Sequence, residues 1–149
     1  MKLLAQRVLS SSLYIEKKKI VSINRGILAL VGFEKGDSSS DCELIADKLL
    51  NYRIFPDDRG RMENSVLDIK GDLLLVPEVT LALQTRKGTR PSFSEAASPD
   101  LGKKLFDELS RKIRKIHNKL EEGIFGADME IKLTNDGPVT FLFKSTDNS

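Results

Sequence analysis

The feature of the sequence that most restricts the fold is an amphipathic helix in its second half. Ser98-Pro99-Asp100 supplies an N-cap side chain, a proline suited to the first helical position and an acid facing the positive end of the helix dipole. An apolar stripe follows at helical spacing, and Gly123 ends it. The stripe consists of Leu101, Leu105, Leu109, Ile113, Ile116 and Leu120. Because such a stripe must be covered by apolar surface, the rest of the chain has to provide one.

Short β-prone runs in the first half of the chain supply part of that surface. Residues 3–8, 13–23 and 26–33 form three such runs, separated by polar breaks at residues 10–12 and 24–26. They predict an antiparallel meander. Residues 73–76 are an uninterrupted apolar run, which is typical of a buried strand.

A second helix and a C-terminal pair of strands complete the predicted fold. Ser40-Asp41-Cys42-Glu43 matches a capping box and predicts a helix of about three turns. Residues 129–133 and 139–143 flank Asn135-Asp136-Gly137-Pro138 and predict two strands joined by a tight turn. We therefore predict an α+β fold, with largely antiparallel, barrel-like or two-layer sheets that two main helices cover.

Composition sets the class of protein. The 149 residues predict one domain spanning 1–149, with residues 145–149 as a loose tail. A net charge of +2 is too small to attract nucleic acid by bulk charge, so any RNA contact must come from a local patch. One cysteine, no signal-like apolar run and no Cys/His cluster predict a cytoplasmic protein without a membrane span, metal or cofactor.

Common catalytic arrangements are missing from the sequence. His117, the only histidine, lies in a charged helical segment and is predicted to be a solvated surface residue, which argues against a Ser-His-Asp triad. No Gly-rich phosphate loop is present. The position of Cys42 near a helix N-terminus favours a lowered thiol pKa, but no histidine stands nearby in the sequence, and we expect no reactive role.

Six segments in order resemble the D-aminoacyl-tRNA deacylase family over nearly the whole chain. They are residues 2–8, 53–57, 62–66, 87–94, 125–129 and 135–140. The resemblance implies the fold of that family and a homodimeric esterase. It also implies hydrolysis of D-aminoacyl-tRNA, and of glycyl-tRNA mischarged on tRNA-Ala, to a free amino acid and tRNA.

The last of these segments, residues 135–140, is called the Gly-Pro loop below. Gly137 has no Cβ and Pro138 has a fixed φ, so the pair makes a rigid loop with an apolar tip, although the residues alone also suit an ordinary hairpin turn. The resemblance implies that the Gly-Pro peptide is cis and enters the active site of the partner subunit, where it blocks an L side chain. It also implies that Arg7 orients this loop. The other residues of the Gly-Pro loop that the resemblance assigns to substrate gating are Asn135, Val139 and Thr140.

Pro77-Glu78-Val79-Thr80 stands where the family typically has Ser-Gln-x-Thr. The resemblance implies that backbone N–H groups at Glu78, Val79 and Thr80 hold the substrate and stabilise the oxyanion. It also implies that the Thr80 hydroxyl orients the substrate and that the 2′-hydroxyl of the terminal tRNA ribose assists the hydrolysis. Glu78 can attract the aminoacyl ammonium or repel the tRNA phosphates. The departure at Pro77 and Glu78 leaves two alternatives open: a dimeric homologue that binds RNA or a partner without catalysis, and a hydrolase with relaxed chirality.

Basic residues beside this segment are the predicted tRNA contacts. Arg86, Lys87 and Arg90 are candidates for binding phosphates, whereas the basic residues of the helix that begins at Ser98 are equally typical of a solvated face. Three further site residues follow from the resemblance: Phe125, Ala127 and Met129.

Overall fold

The computed structural model of the protein describes residues 1–146, and residues 147–149 lie outside the described part. The elements, in chain order, are β1 (Lys2–Ile15), β2 (Lys18–Ile23), β3 (Gly26–Gly32), α1 (Ser39–Asn51), β4 (Phe55–Pro56), β5 (Met62–Asn64), β6 (Asp72–Pro77), a 3-10 helix (Val79–Ala82), α2 (Pro99–Ile116), β7 (Leu120–Glu122) and β8 (Glu130–Lys144).

One mixed sheet of six strands organises the molecule. The strand order is β2-β1-β3-β6-β7, and β8 pairs with β1. β1 pairs antiparallel with β3 in its first half, with β2 in its second half and with β8 along almost its whole length. The pairings of β3 with β6 and of β6 with β7 are parallel. The α+β class with two main helices is therefore confirmed, but the parallel pairings were not predicted.

The N-terminal strands do not form the predicted meander, because β1 lies between β2 and β3. The serines at 10–12 are not a break but part of β1, and the Ser11 hydroxyl donates to the Lys132 carbonyl oxygen at 3.1 Å. The chain turns instead at Glu16 and Lys17, whose φ angles are 49° and 66°. Glycine and asparagine are the usual residues at such positions, so the sequence carries no signal for this turn.

The predicted C-terminal hairpin is also wrong, because β8 is one continuous strand. Gln6 pairs with Thr140 and Val8 with Asn135, so four residues of β8 stand opposite the single residue Arg7. The Gly-Pro loop therefore leaves the strand as a wide bulge and does not reverse the chain. β1 is long enough to pair with both halves of β8, and this pairing outweighs the local turn signal.

The two helices begin and end close to the predicted positions, with differences. The N-cap of α1 is Ser38, whose N–H donates to the Asp41 carboxylate at 2.8 Å, and not Ser40 as predicted. The start of α2 is confirmed, since the Leu101 N–H donates to the Ser98 hydroxyl at 3.2 Å. However, α2 ends at Ile116, and Leu120 lies in β7 because that segment pairs with β6.

His117 was predicted to be a solvated surface residue, and this prediction is wrong. Its side chain is buried, and Nε2 lies 2.6 Å from the carbonyl oxygen of Gly71. His117 is the C-cap of α2, where the chain leaves the helix, and its ring turns toward the loop that precedes β6. Helical periodicity does not apply to a residue at that position.

The main hydrophobic core lies between the sheet and the two helices. Leu73, Leu74, Leu75 and Val76 are all buried, as the apolar run predicts. Their side chains alternate between the main core and a smaller cluster on the opposite face of the sheet. No helix in residues 1–146 is long and apolar enough to cross a membrane. The predicted loose tail falls mostly outside the described residues, and the Ser145 N–H donates to the Met1 carbonyl oxygen at 3.0 Å.

We expect Ser98→Ala to lower the free energy of unfolding by about 1 kcal/mol, because it removes the side-chain acceptor of the α2 N-cap. The matched control is Ser39→Ala, an exposed position inside the first turn of α1, which should cost less than about 0.5 kcal/mol. Urea unfolding followed by circular dichroism measures both. Equal losses would mean that the cap at Ser98 contributes nothing specific.

Candidate functional site

A cleft of about 540 Å³ opens where β6 ends and α2 begins. Glu78 and Val79 line one side of it, and Phe125, Ala127 and Met129 line another. The fold thus brings together five predicted site residues from two segments that are far apart in the sequence. Thr80 lies instead on a second, smaller cavity of about 410 Å³, together with Arg90.

The 3-10 helix begins beside this cleft, where Val79 lines it. The Glu78 N–H is already used by the sheet, since it donates to the Val31 carbonyl oxygen at 2.8 Å. The first bond of the 3-10 helix runs from the Leu81 N–H to the Glu78 carbonyl oxygen at 3.2 Å. The geometry of a helix start therefore leaves the N–H groups of Val79 and Thr80 without an acceptor among residues 1–146. These two N–H groups can bind an anionic oxygen, whereas that of Glu78 cannot.

Pro77 removes no hydrogen bond from the sheet. The Glu78 N–H faces β3, so the backbone nitrogen of residue 77 faces the opposite side, toward β7. β7 pairs with β6 only as far as Leu75, and no strand in the described part of the chain lies beyond it. A proline is therefore tolerated at the end of β6.

The charges at the cleft are acidic. Glu78 and Asp128 line it, and none of its described lining residues is lysine, arginine or histidine. The Thr80 hydroxyl donates to the Glu78 carboxylate, which fixes the orientation of both side chains. Over residues 1–146, no group of three or more His, Cys, Asp and Glu side chains is placed to hold a metal ion.

The Gly-Pro loop is closed by the side chain of Asn135. Its Oδ1 accepts from the Val139 N–H at 2.8 Å, and its Nδ2 donates to the Thr140 hydroxyl at 3.0 Å. The Gly137-Pro138 peptide bond is cis, and both residues are exposed. The loop is therefore an ordered projection from β8.

Arg7 lies under this loop and is nearly fully buried. Its Nε donates to the Asp136 carbonyl oxygen at 3.0 Å and lies 3.3 Å from the Asp136 carboxylate, and its Nη1 donates to the Ile54 carbonyl oxygen at 2.7 Å. Gly137 has a φ of 136°, and a Cβ there would lie 2.6 Å from Val139 Cγ2 and 3.2 Å from Arg7 Nη2. Only glycine fits between the loop backbone and the guanidinium.

The loop and the cleft are separate within one chain. None of residues 135–140 is among the described residues that line the cleft. A loop that is exposed and lies outside its own cleft can act on a substrate in such a cleft if a second molecule supplies one of the two.

The predicted tRNA contacts differ in their surroundings. Arg86 is engaged, because it pairs with Glu95 at 3.4 Å and donates to the Gln84 side chain at 2.7 Å. Lys87 and Arg90 are exposed, and Arg90 borders the second cavity beside Thr80.

Comparison with known protein families shows which family this chain belongs to. A family profile described as D-Tyr-tRNA(Tyr) deacylase matches residues 4–144. The chain belongs to this family. It is therefore a hydrolase, and the D-Tyr-tRNA(Tyr) deacylase match covers both the Pro77 to Thr80 segment and the Gly-Pro loop.

Relatives within the family align with almost the whole chain. The D-aminoacyl-tRNA deacylase of Teredinibacter turnerae (strain ATCC 39867 / T7901) is 51% identical over 145 residues, which is 97% of this chain and 100% of that protein. The D-aminoacyl-tRNA deacylase of Francisella tularensis subsp. tularensis (strain WY96-3418) is 50% identical over 139 residues, covering 93% of this chain and 96% of that one.

Solved structures agree with this deacylase fold. The structure titled c-Myc DNA Unwinding Element Binding Protein has a TM-score of 0.93 and 32% identity, and covers 97% of this chain and 98% of its own. A structure described as a probable eukaryotic D-amino acid tRNA deacylase has a TM-score of 0.83 at 17% identity, over 95% of this chain and 97% of its own, and is similar in fold alone.

Gly102 is a cleft residue that the sequence did not predict. It lies in the first turns of α2, and a Cβ there would lie 2.9 Å from Phe125 Cζ. Phe125 therefore approaches the helix backbone directly. The available signal was a glycine inside an amphipathic helix, where it lowers helix stability and calls for a packing reason.

Cys42 has no part in the site. The thiol is buried in the core and donates to the Leu105 carbonyl oxygen at 3.6 Å. Burial, with a smaller contribution from the charge of Glu108, raises the pKa of Cys42 to about 12. The position near a helix N-terminus therefore does not activate this thiol.

We expect native Cys42 to react with a disulfide reagent at pH 8 more than about a hundredfold more slowly than the urea-unfolded chain. A raised pKa keeps the thiol protonated: at pH 8 a pKa of about 12 leaves roughly 0.01% thiolate, against roughly a quarter for an ordinary cysteine. The release of the reagent chromophore measures both rates. Similar rates in the two states would contradict burial.

We expect Asn135→Ala to accelerate hydrogen exchange of the Val139 amide by about tenfold, because it removes the acceptor that closes the Gly-Pro loop. Asn135→Asp keeps an acceptor oxygen and should stay near the wild-type rate. Thr134→Ala, at the neighbouring exposed position of β8, is the control. Unchanged exchange in Asn135→Ala would show that the loop is held without this side chain.

Proposed function

We propose that this enzyme hydrolyses the ester bond of D-aminoacyl-tRNA, and of glycyl-tRNA, in the cytoplasm and leaves L-aminoacyl-tRNA intact. The observation that carries the proposal is the Gly-Pro loop: it is held by hydrogen bonds, exposed and outside the cleft of its own chain. Such a loop suits a steric test of the substrate, because its exposed tip is formed by Gly137 and Pro138, neither of which has a titratable side chain.

The loop acts in trans in this proposal, within a homodimer. Gly137 and Pro138 of one subunit enter the cleft of the other and occupy the space that an L side chain would need. Glycine has no side chain on its α-carbon and passes the same test. Discrimination then comes from a clash with the wrong enantiomer. Exposed apolar side chains along β8, such as Leu133 and Leu142, are consistent with a second subunit covering this strand.

Backbone groups supply the chemistry. Water attacks the ester carbonyl carbon, and the carbonyl oxygen becomes anionic as the new C–O bond forms. The N–H groups of Val79 and Thr80 stabilise this oxygen. The bond to the ribose oxygen then breaks, and a proton passes to that oxygen, which leaves free tRNA and amino acid. In this proposal the ribose 2′-hydroxyl of the substrate assists the water, and the described lining of the cleft has two carboxylates, Glu78 and Asp128, but no histidine or lysine.

The Thr80 hydroxyl orients the substrate and does not attack it. A nucleophilic threonine needs a base to accept its proton, and its hydroxyl instead donates to the Glu78 carboxylate. The non-catalytic alternative is not favoured, because Pro77 removes no sheet hydrogen bond and the open donors of Val79 and Thr80 do not depend on side-chain identity at positions 77 and 78.

The purified enzyme should deacylate D-Tyr-tRNA and Gly-tRNA and leave L-Tyr-tRNA unchanged beyond its spontaneous hydrolysis. Gly137→Ala should raise the rate on L-Tyr-tRNA by about tenfold or more, since its Cβ displaces the loop that excludes the L side chain by contact with Val139 and Arg7. Thr134→Ala is the control and should keep the wild-type rate. Acid-precipitable label on tRNA measures all three substrates, and absence of activity on every D-aminoacyl-tRNA at micromolar enzyme would refute the proposal.

A further inference from the structure

The loop between the 3-10 helix and α2 carries an exposed aromatic ring that the proposed chemistry does not use. Phe93 is 63% exposed. Its backbone is ordered, because the neighbouring Ser92 exchanges two hydrogen bonds with Gln84 at 2.9 and 3.0 Å, and the Ala96 N–H donates to the Phe93 carbonyl oxygen at 3.1 Å. The ring is thus held outward by a fixed loop.

Two cations accompany this ring. Lys87 and Arg90 lie on the same loop and, within residues 1–146, form no ion pair, whereas Arg86 is occupied by Glu95. The two side chains are exposed. They are therefore available to an anionic ligand, and the chain as a whole, with a net charge of only +2, offers little other attraction for one.

The loop adjoins the candidate site. Thr80, Arg90 and Pro91 line the same cavity of about 410 Å³, and Phe93 follows Pro91 by two residues. The cavity therefore connects the acyl-binding segment to the loop that carries the ring and the cations. An exposed aromatic ring and exposed cations on one ordered loop are the groups that bind unpaired nucleotides, with the base stacked on the ring and the phosphate on the cations.

We propose that this loop holds an unpaired nucleotide of the RNA that adjoins the acylated terminal nucleoside. Its base stacks on Phe93, and its phosphates contact Lys87 and Arg90. The inference rests on the proposed function, because it takes an RNA 3′ end as the substrate. It adds a binding site for the RNA strand to a cleft that, on its described lining, is acidic and apolar.

A binding experiment tests this site without hydrolysis. The chain has no tryptophan, so Phe93→Trp places a single indole at the loop. The probe is an RNA hairpin that carries no amino acid and has unpaired 3′ nucleotides. The control is the same hairpin with a blunt end. We expect the first RNA to quench the indole fluorescence with saturation and the second not to. No quenching, or equal quenching by both, would overturn the proposal.

A kinetic experiment separates stacking from packing. For D-Tyr-tRNA, Phe93→Leu should raise KM about tenfold and Phe93→Tyr less than about twofold, because tyrosine keeps the aromatic face. For the D-tyrosyl ester of adenosine alone, which lacks the adjoining nucleotide, both variants should match the wild type. Equal losses on the two substrates would place Phe93 in the reaction site and overturn the proposal.

Salt dependence and mass complete the test. Lys87→Gln and Arg90→Gln should each reduce the slope of log KM against log salt by about 0.7, the contribution of one contact to single-stranded phosphate. An unchanged slope in both would overturn the phosphate contacts. A change of oligomeric mass in Phe93→Leu, measured by light scattering, would mean that the ring contacts a second copy of the chain, and would overturn the proposal. A wild type inactive on both substrates would refute the proposed function, while the fluorescence titration would still decide this inference.

Discussion

The buried guanidinium of Arg7 is the interaction on which the most distinctive part of the structure depends. A cation inside a protein requires hydrogen-bond acceptors in the right places, and removing them is costly. Arg7 takes its acceptors from two distant segments, at Ile54 and at Asp136, in addition to the carboxylate of Asp136. One side chain thus ties β1 to the chain after α1 and to the bulge of β8. The same contact leaves no room for a Cβ at position 137.

The wide bulge follows from this arrangement. Pairing between β1 and β8 continues on both sides of Arg7, so the extra residues of β8 must leave the plane of the sheet together. Asn135 then satisfies the backbone inside the loop by accepting from Val139. Rigidity and projection are therefore produced by one arginine, one asparagine and one glycine, and outside the loop the pairing of β8 with β1 has one further irregularity, at Leu9. The apolar tip formed by Pro138 has no reactive group.

The cleft is built mainly from the ends of elements. β6 ends at Pro77, the 3-10 helix begins at Val79 and α2 begins at Pro99, and each such end leaves backbone groups that regular pairing does not use. A site of this kind depends on where the backbone runs more than on which side chains line it. That explains how Pro77 and Glu78 are accommodated: the first removes no ladder bond, and the second directs its carboxylate to the Thr80 hydroxyl while its own N–H remains in the sheet.

The sequence by itself determined the parts that depend on local physics. The N-cap at Ser98, the buried run at residues 73–76, the α+β class and the six family segments were all readable, because caps, apolar runs and motifs are encoded by near neighbours. Tertiary structure decided the rest. The turn signal of Gly137 and Pro138 is the same for a hairpin and for a bulge, and only the length of β1 selects the bulge. His117 reads as exposed until the end of α2 turns it toward Gly71, and Leu120 reads as helical until β6 offers a strand to pair with. These outcomes depend on partners that are far away in the chain, and such partners exist only once the sheet has formed.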